Sequence, residues 1–152
     1  MSELSERFTP ETERVLREAG WAPGRQVPED QVRAWTEQLG DGFVLSGPAA
    51  AALREFGGLD VDQSGPGETW ARERFELDPA LALGEDDRFQ LYTDEYGMAL
   101  FPLGEAYGSY YFLAIDPTGR TYLVMDDIKL IAESFDEALE SLVHGRGELP
   151  LP

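Results

Sequence analysis

The chain has 152 residues, with 12 basic and 30 acidic side chains and a net charge of −18. This length suffices for one domain with its own core. The absence of cysteine excludes disulfides and thiolate chemistry, and the charge disfavours nucleic acid or anionic lipid as partners because phosphates would be repelled. A basic protein is the favoured partner instead, most of all for the stretch Asp60 to Asp127, where fifteen acidic residues stand against four basic ones, a net of −11. No apolar run approaches the ~20 residues of a membrane-spanning helix. The N-terminus, Met1-Ser-Glu-Leu-Ser-Glu-Arg-Phe8, has neither the basic nor the apolar region of a signal peptide. A cytoplasmic location is expected.

Residues 1–8 are expected to form a flexible N-terminus, residues 9–146 a single domain and residues 147–152 a short tail. Thr9-Pro10-Glu11 opens a helix with a hydroxyl cap, a proline in the first turn and acids near the positive end of the helix dipole. Gly20 ends it, and Trp21 folds back beyond the cap. From Pro28 to Leu39, Val32, Trp35 and Leu39 recur at helical spacing. Ser46-Gly-Pro48 opens a short third helix, Ala49 to Glu55, stopped at Gly57-Gly58. Trp21, Trp35 and Phe56 read as core aromatics, because a stacking platform for bases would also need positive charge.

Asp60-Val-Asp62-Gln-Ser64-Gly65 begins like a calcium loop, but the position of the closing glutamate is Ala71, so no metal site is expected. Trp70 to Leu77 alternates imperfectly, as an edge strand does. Asp78 caps one helical turn running to Leu83, and Glu85-Asp86-Asp87 is an exposed acidic knot. Three aromatic and β-branched segments follow, Met98 to Leu103, Tyr110 to Ile115 and Arg120 to Met125, with Asp116-Pro-Thr-Gly119 as a hairpin connection. Ile128 to Ala132 is a link or short strand. Ser134-Phe-Asp-Glu137 is a capping box that starts a last helix with Ala138, Leu139, Leu142 and Val143 on its core side. The pattern predicts an α+β domain whose helices cover one face of a central, antiparallel-rich twisted sheet.

Chemistry is not visible in the sequence. His144 is the single histidine and sits at a helix end, where the dipole accounts for it. The single lysine, Lys129, is not in a phosphate loop. The pairs Asp86/Asp87, Asp94/Glu95 and Asp126/Asp127 read as solvated acids, with a small carboxylate-based hydrolase left open as an alternative. No catalytic residue, cofactor or metal is expected.

Leu53-Arg-Glu-Phe-Gly-Gly-Leu59, preceded by Thr9-Pro-Glu-Thr-Glu-Arg-Val-Leu-Arg-Glu-Ala-Gly-Trp21 and Pro23-Gly-Arg25, resembles the SUKH (Smi/Knr-like) superfamily, and most of all its third subgroup, common in actinobacteria. The likeness continues through Phe75 with Asp78-Pro79, Gly84-Glu85, Pro102-Leu-Gly-Glu105, Ile115-Asp116 with Gly119-Arg120 and Tyr122, and Phe135-Asp-Glu-Ala-Leu139 with Gly145. It spans about residues 8 to 146, and only the charged loop after Leu59 has no counterpart. The resemblance implies an α+β fold and an immunity protein that binds a cognate polymorphic or contact-dependent toxin, often a nuclease or deaminase, in the cytoplasm. It implies no catalytic residue. A non-catalytic regulatory or scaffold module is the alternative, as in eukaryotic relatives.

Within the resemblance, Gly57 is expected to take the left-handed conformation that ends the third helix and Gly58 to turn the chain into the sheet. An acidic inhibitor needs anchors as well as charge. The expected partner-binding set is Tyr92, Tyr96, Tyr107 and Tyr110 beside Asp94, Glu95, Glu105, Asp126 and Asp127, facing a basic toxin domain. A monomer is favoured.

Overall fold

Six strands form one antiparallel sheet in chain order: β1 (Asp60–Val61), β2 (Phe75–Glu76), β3 (Phe101–Ala106), β4 (Tyr111–Ile115), β5 (Thr121–Val124) and β6 (Ile128–Ala132). The computed structural model describes residues 7–97 and 99–152. Residues 1–6, most of the N-terminus expected to be flexible, and Met98, the first residue of an expected strand, lie outside the described residues. Five α-helices surround the sheet among the described residues: α1 (Pro10–Glu18), α2 (Glu29–Leu39), α3 (Gly47–Phe56), α4 (Asp86–Tyr96) and α5 (Phe135–His144). The α+β class is the one expected.

The capping residues act where they stand in the sequence. Thr9, Ser46, Asp78 and Ser134 each accept a backbone N–H at the start of a helix or turn, Asp78 opening the 3-10 turn Pro79–Ala82. The box at Ser134 is half made: Ser134 Oγ accepts from the Glu137 N–H at 3.2 Å, but the Glu137 carboxylate makes no return bond. After α1, the Trp21 N–H donates to the Leu16 carbonyl at 2.9 Å, folding the indole into the core. Asp116 organises the hairpin by accepting from the Thr118 and Arg120 N–H groups and from the Tyr122 hydroxyl at 2.8 Å.

Several expectations are corrected. Gly58, not Gly57, takes the positive φ (87°) after α3, whereas Gly57 has an extended backbone and a Cβ there would strike the Leu53 carbonyl and the Trp35 ring. Of the stretch Trp70 to Leu77, only Phe75 and Glu76 pair, and β2 is interior, between β1 and β3. Asp86 and Asp87 of the acidic knot are exposed, as expected, but they also open a helix, α4, whose first turn gains from negative charge. Its aromatics Phe89 and Tyr92 point inward. The segment expected to end at Leu103 runs on as β3 to Ala106, and the register shifts between Pro102 and Gly104; a bulge accommodates a proline that cannot donate to the ladder.

The sheet is covered more fully than a single-faced layer. Phe112 and Leu113, neighbours pointing to opposite faces, are both buried, as are Tyr122 and Leu123. On one side α4 lays Phe89 over Phe112, with ring centroids 6.0 Å apart. Elsewhere α3 and α5 join Phe8, Trp21, Phe56 and Phe135 into one cluster: Trp21 stacks on Phe56 at 6.1 Å, Phe8 meets Trp21 edge-on at 5.7 Å, and Phe135 tilts against Phe56 at 5.5 Å. Phe8 is thus core, and Arg7 is anchored too, bridging Glu55 and Asp136 at 2.8 and 2.7 Å. Trp35 is only partly buried. Both sheet edges are blunted: β1 is two residues long, and Leu149 of the tail bonds to Leu130 along β6.

Candidate functional site

In a meander, alternate turns share an end of the sheet. The β3–β4 turn (107–110), the β5–β6 turn (125–127) and the loop between β1 and β2 therefore meet at one end, opposite Asp116. The loop is fastened to the end of α5. The Glu68 N–H donates to the His144 carbonyl, and those of Thr69 and Trp70 to the Gly145 carbonyl, at 2.8 to 2.9 Å. Gly145 has φ 70°, and its α-carbon lies so near Gly67 and the Trp70 carbonyl that a side chain would collide with both. A tight glycine contact thus sets the position of Trp70.

Trp70 meets Tyr107 edge-to-face at 5.6 Å, and Tyr107 meets Tyr111 at 6.4 Å. These rings, with Ala71, Glu73, Lys129 and the exposed Tyr110 (74 %), line a cleft of about 340 Å³. The turn that carries Tyr107 and Tyr110 is strained. Tyr107 and Ser109 both have positive φ, 57° and 80°, around Gly108, and such a backbone costs roughly 1–3 kcal/mol per non-glycine residue. Burial, and next the charge of Glu73, push the Tyr107 hydroxyl up to about 12. Lys129 is held by Asp127 at 3.1 Å and Glu148 at 3.5 Å.

The expected partner-binding residues do not form one patch. Tyr107 and Tyr110 stand at the cleft, with the half-buried Glu105 near the end of β3. Tyr92 is 7 % exposed, and its hydroxyl donates to the Met125 carbonyl at 3.3 Å, so it supports the β5–β6 turn from beneath; burial, then nearby Asp127, raise its pKa. Arg88 bonds the same carbonyl at 2.7 Å and reaches Asp126 at 3.5 Å. Asp94 and Glu95 lie exposed on α4 without ion pairs, Asp94 accepting only from Gln90. Tyr96 stacks on Tyr92 at 6.3 Å but looks toward the opposite end of the sheet, beside Pro117, Arg120 and Pro152. Asp126 and Asp127 join the two groups, through Arg88 to α4 and through Lys129 to the cleft.

Trp70, Glu73, Tyr111, Lys129 and the exposed Leu91 (60 %) were missed. Trp70, Glu73 and Tyr111 read as strand residues, and only Lys129's status as the single lysine marked it out. Most basic charge is paired within the fold. Apart from Arg25, Arg33 and Arg54, every basic side chain has a carboxylate within ion-pair distance. Asp87, Asp94 and Glu95, spaced along α4 beside Leu91, have none.

His144 is tied into a clamp. Its Nε2 lies 2.9 Å from Thr9 Oγ1 and 3.3 Å from Glu140, while Thr9 Oγ1 already caps α1 and Glu140 accepts from Thr9 and Thr12. These atoms are committed to joining α1 to α5. Asp60, from the calcium-like stretch, is taken by Arg74. The hollow along α1, about 490 Å³, is lined by Glu13, Arg14, Arg17 and Glu18, whose charges pair with one another or with Glu11.

The fold is that of an α+β domain. The SUKH-3 immunity protein family matches residues 8–145, and the chain belongs to that family. Membership implies a toxin as protein partner and neutralisation as the outcome; such immunity proteins are generally non-catalytic. No curated protein and no solved structure matches the chain. Among the described residues no helix is long and apolar enough to cross a membrane.

Proposed function

We propose that this protein is a cytoplasmic, monomeric inhibitor that neutralises a basic toxin domain, of nuclease or deaminase type, by covering its working face with acidic surface. The observation that carries the reading is the residual charge. Nine of the twelve basic side chains are paired with carboxylates within the fold, so most of the net −18 is available to a partner. A toxin acting on nucleic acid needs a cationic face, and opposite charge steers association to it. The docking area is the outer surface of α4 with Leu91, continued through Asp126 and Asp127 to the cleft. An ordinary specific interface there buries ~1,200–2,000 Å².

A carboxylate hydrolase would need acids with raised pKa in a concave pocket. The acids with shifted values, Asp60 and Glu11, move the other way, each held below the ordinary carboxylate range by a hydrogen-bonded arginine, Arg74 and Arg14. Neither shift is the one that acid/base work needs.

The test is co-expression with any secreted multidomain toxin found encoded beside the gene, scored as cell survival and as inhibition of the purified toxin domain. Protection is expected, with an association rate that falls as salt rises. Replacing Asp94, Glu95, Asp126 and Asp127 together by Asn or Gln is expected to slow association ~10-fold and flatten its salt dependence. Survival that never depends on the protein would remove the reading. An unchanged association rate in the quadruple variant would move the docking surface elsewhere.

A further inference from the structure

The aromatic cleft has a composition that selects its occupant. At about 340 Å³ it sits near the lower end of the ~300–1,000 Å³ range of ligand sites, and it is open to solvent, which suits one inserted side chain better than a whole cofactor. Trp70, Tyr107 and Tyr111 supply aromatic walls. Glu73 stands at the rim beside Gly108, exposed and without an ion pair. Lys129, the one basic residue lining the cleft, is held by two carboxylates, Asp127 and Glu148, so the surroundings are negative on balance.

An apolar occupant would desolvate Glu73 without pairing it. An anion would meet Glu73, Asp127 and Glu148. A lysine would bring a compact, strongly hydrated ammonium, whereas a guanidinium lies flat on aromatic rings, is more weakly hydrated, and still pairs with a carboxylate. The left-handed backbone at Tyr107 and Ser109 and the Trp70 bond to the Gly145 carbonyl set where the walls stand. We propose that the Trp70–Tyr107–Tyr111 cleft is the socket for an arginine side chain of the protein partner, with Glu73 as its counter-ion. The identity of that partner as a basic toxin rests on the function proposed above; the chemistry of the socket does not.

The test is a titration of the isotopically labelled, full-length protein with acetyl-Gly-Arg-Gly-amide and with the same peptide carrying citrulline, which keeps the shape and loses the charge. The arginine peptide is expected to bind in the millimolar range, moving the Trp70 indole signal and the backbone signals of Glu73 and Gly108 together. Citrulline is expected to bind ~3–10-fold more weakly, and Glu73→Gln to abolish that difference. Glu73 is exposed, so the variant is expected to fold. Equal responses to the two peptides, insensitivity to Glu73→Gln, or shifts along α4 with Trp70 unmoved would each overturn the socket.

With the toxin domain in hand, Glu73→Gln is expected to speed dissociation ~5-fold or more, whereas α4 charge variants mainly slow association. An effect of Glu73→Gln on association alone would make it a steering charge and overturn the socket. Failure of the peptide test leaves protection by the protein standing. Failure of protection with the peptide test intact leaves the socket and removes the toxin.

Discussion

Two aromatic clusters in this protein are built from similar residues and end in opposite states. Around Trp21, the rings of Phe8, Phe56 and Phe135 are closed over by α3 and α5, and at the rim Arg7, Glu55 and Asp136 satisfy one another. Arg7 also lies over Phe8, 4.9 Å from the ring centroid. Around Tyr107, the rings of Trp70 and Tyr111 are left half-open, the backbone between them is strained, and Glu73 has no partner. The first arrangement has a guanidinium, aromatic faces and carboxylates in mutual contact. The second has the aromatic faces and the carboxylate, and lacks the guanidinium. An internal arginine makes one cluster structural; its absence makes the other receptive.

The contrast can be broken from the closed side first. Phe56→Ala removes the ring shared by Trp21, Phe8 and Phe135 and is expected to cost ~3–5 kcal/mol in chemical denaturation. Tyr110→Ala, at the open side, is expected to stay within ~0.5 kcal/mol. Comparable losses at both positions would erase the distinction. Gly145→Ala comes next: a side chain at φ 70° against Gly67 and the Trp70 carbonyl is expected to cost ~2 kcal/mol or more. It should also displace the Trp70 indole resonance, and an unmoved resonance would show that the α5 end does not position the cleft.

Alkaline pH probes the same region. Because Tyr107 is raised from 10.0 to about 12 in the folded chain, its neutral form is favoured there. Its contribution is therefore complete below pH 10 and is lost as pH climbs from 10 toward 12, on the order of 1 kcal/mol once solvent screening is discounted. Tyr122, raised by burial and by its bond to Asp116, acts in the same direction. Denaturation midpoints that stay level across that window would contradict the burial of both phenols. The smallest effect is a gain: Ser109→Gly relieves a left-handed serine and is expected to stabilise the fold by ~0.5–1 kcal/mol. A loss instead would mean that the turn is not strained.

The sequence by itself determined what depends on neighbours a few residues away. The Thr9, Ser46 and Ser134 caps, the Trp21 return, the Asp116 hairpin and the inward side of α5 follow from spacing and capping chemistry. Helix α4 was also written there, in Phe89 and Tyr92 three apart, but its aromatics also suit strands and its exposed Leu91 blurs the apolar stripe. Of the expected partner-binding residues, Tyr107 and Tyr110 did come together at the cleft, whereas Tyr92 turned inward and Tyr96 faced the far end.

Only the tertiary structure decided which surfaces remain unsatisfied. β2 became interior because β1, a loop away, pairs with it, and Trp70 gained its place from Gly145, 75 residues further on. Arg74 is spent on Asp60 and Lys129 on Asp127, while Glu73 is left free. Periodicity reports the side of an element that faces the core. Which charge finds a partner depends on segments that meet only when the chain is folded, and that choice leaves this protein with its free carboxylates and half-open rings.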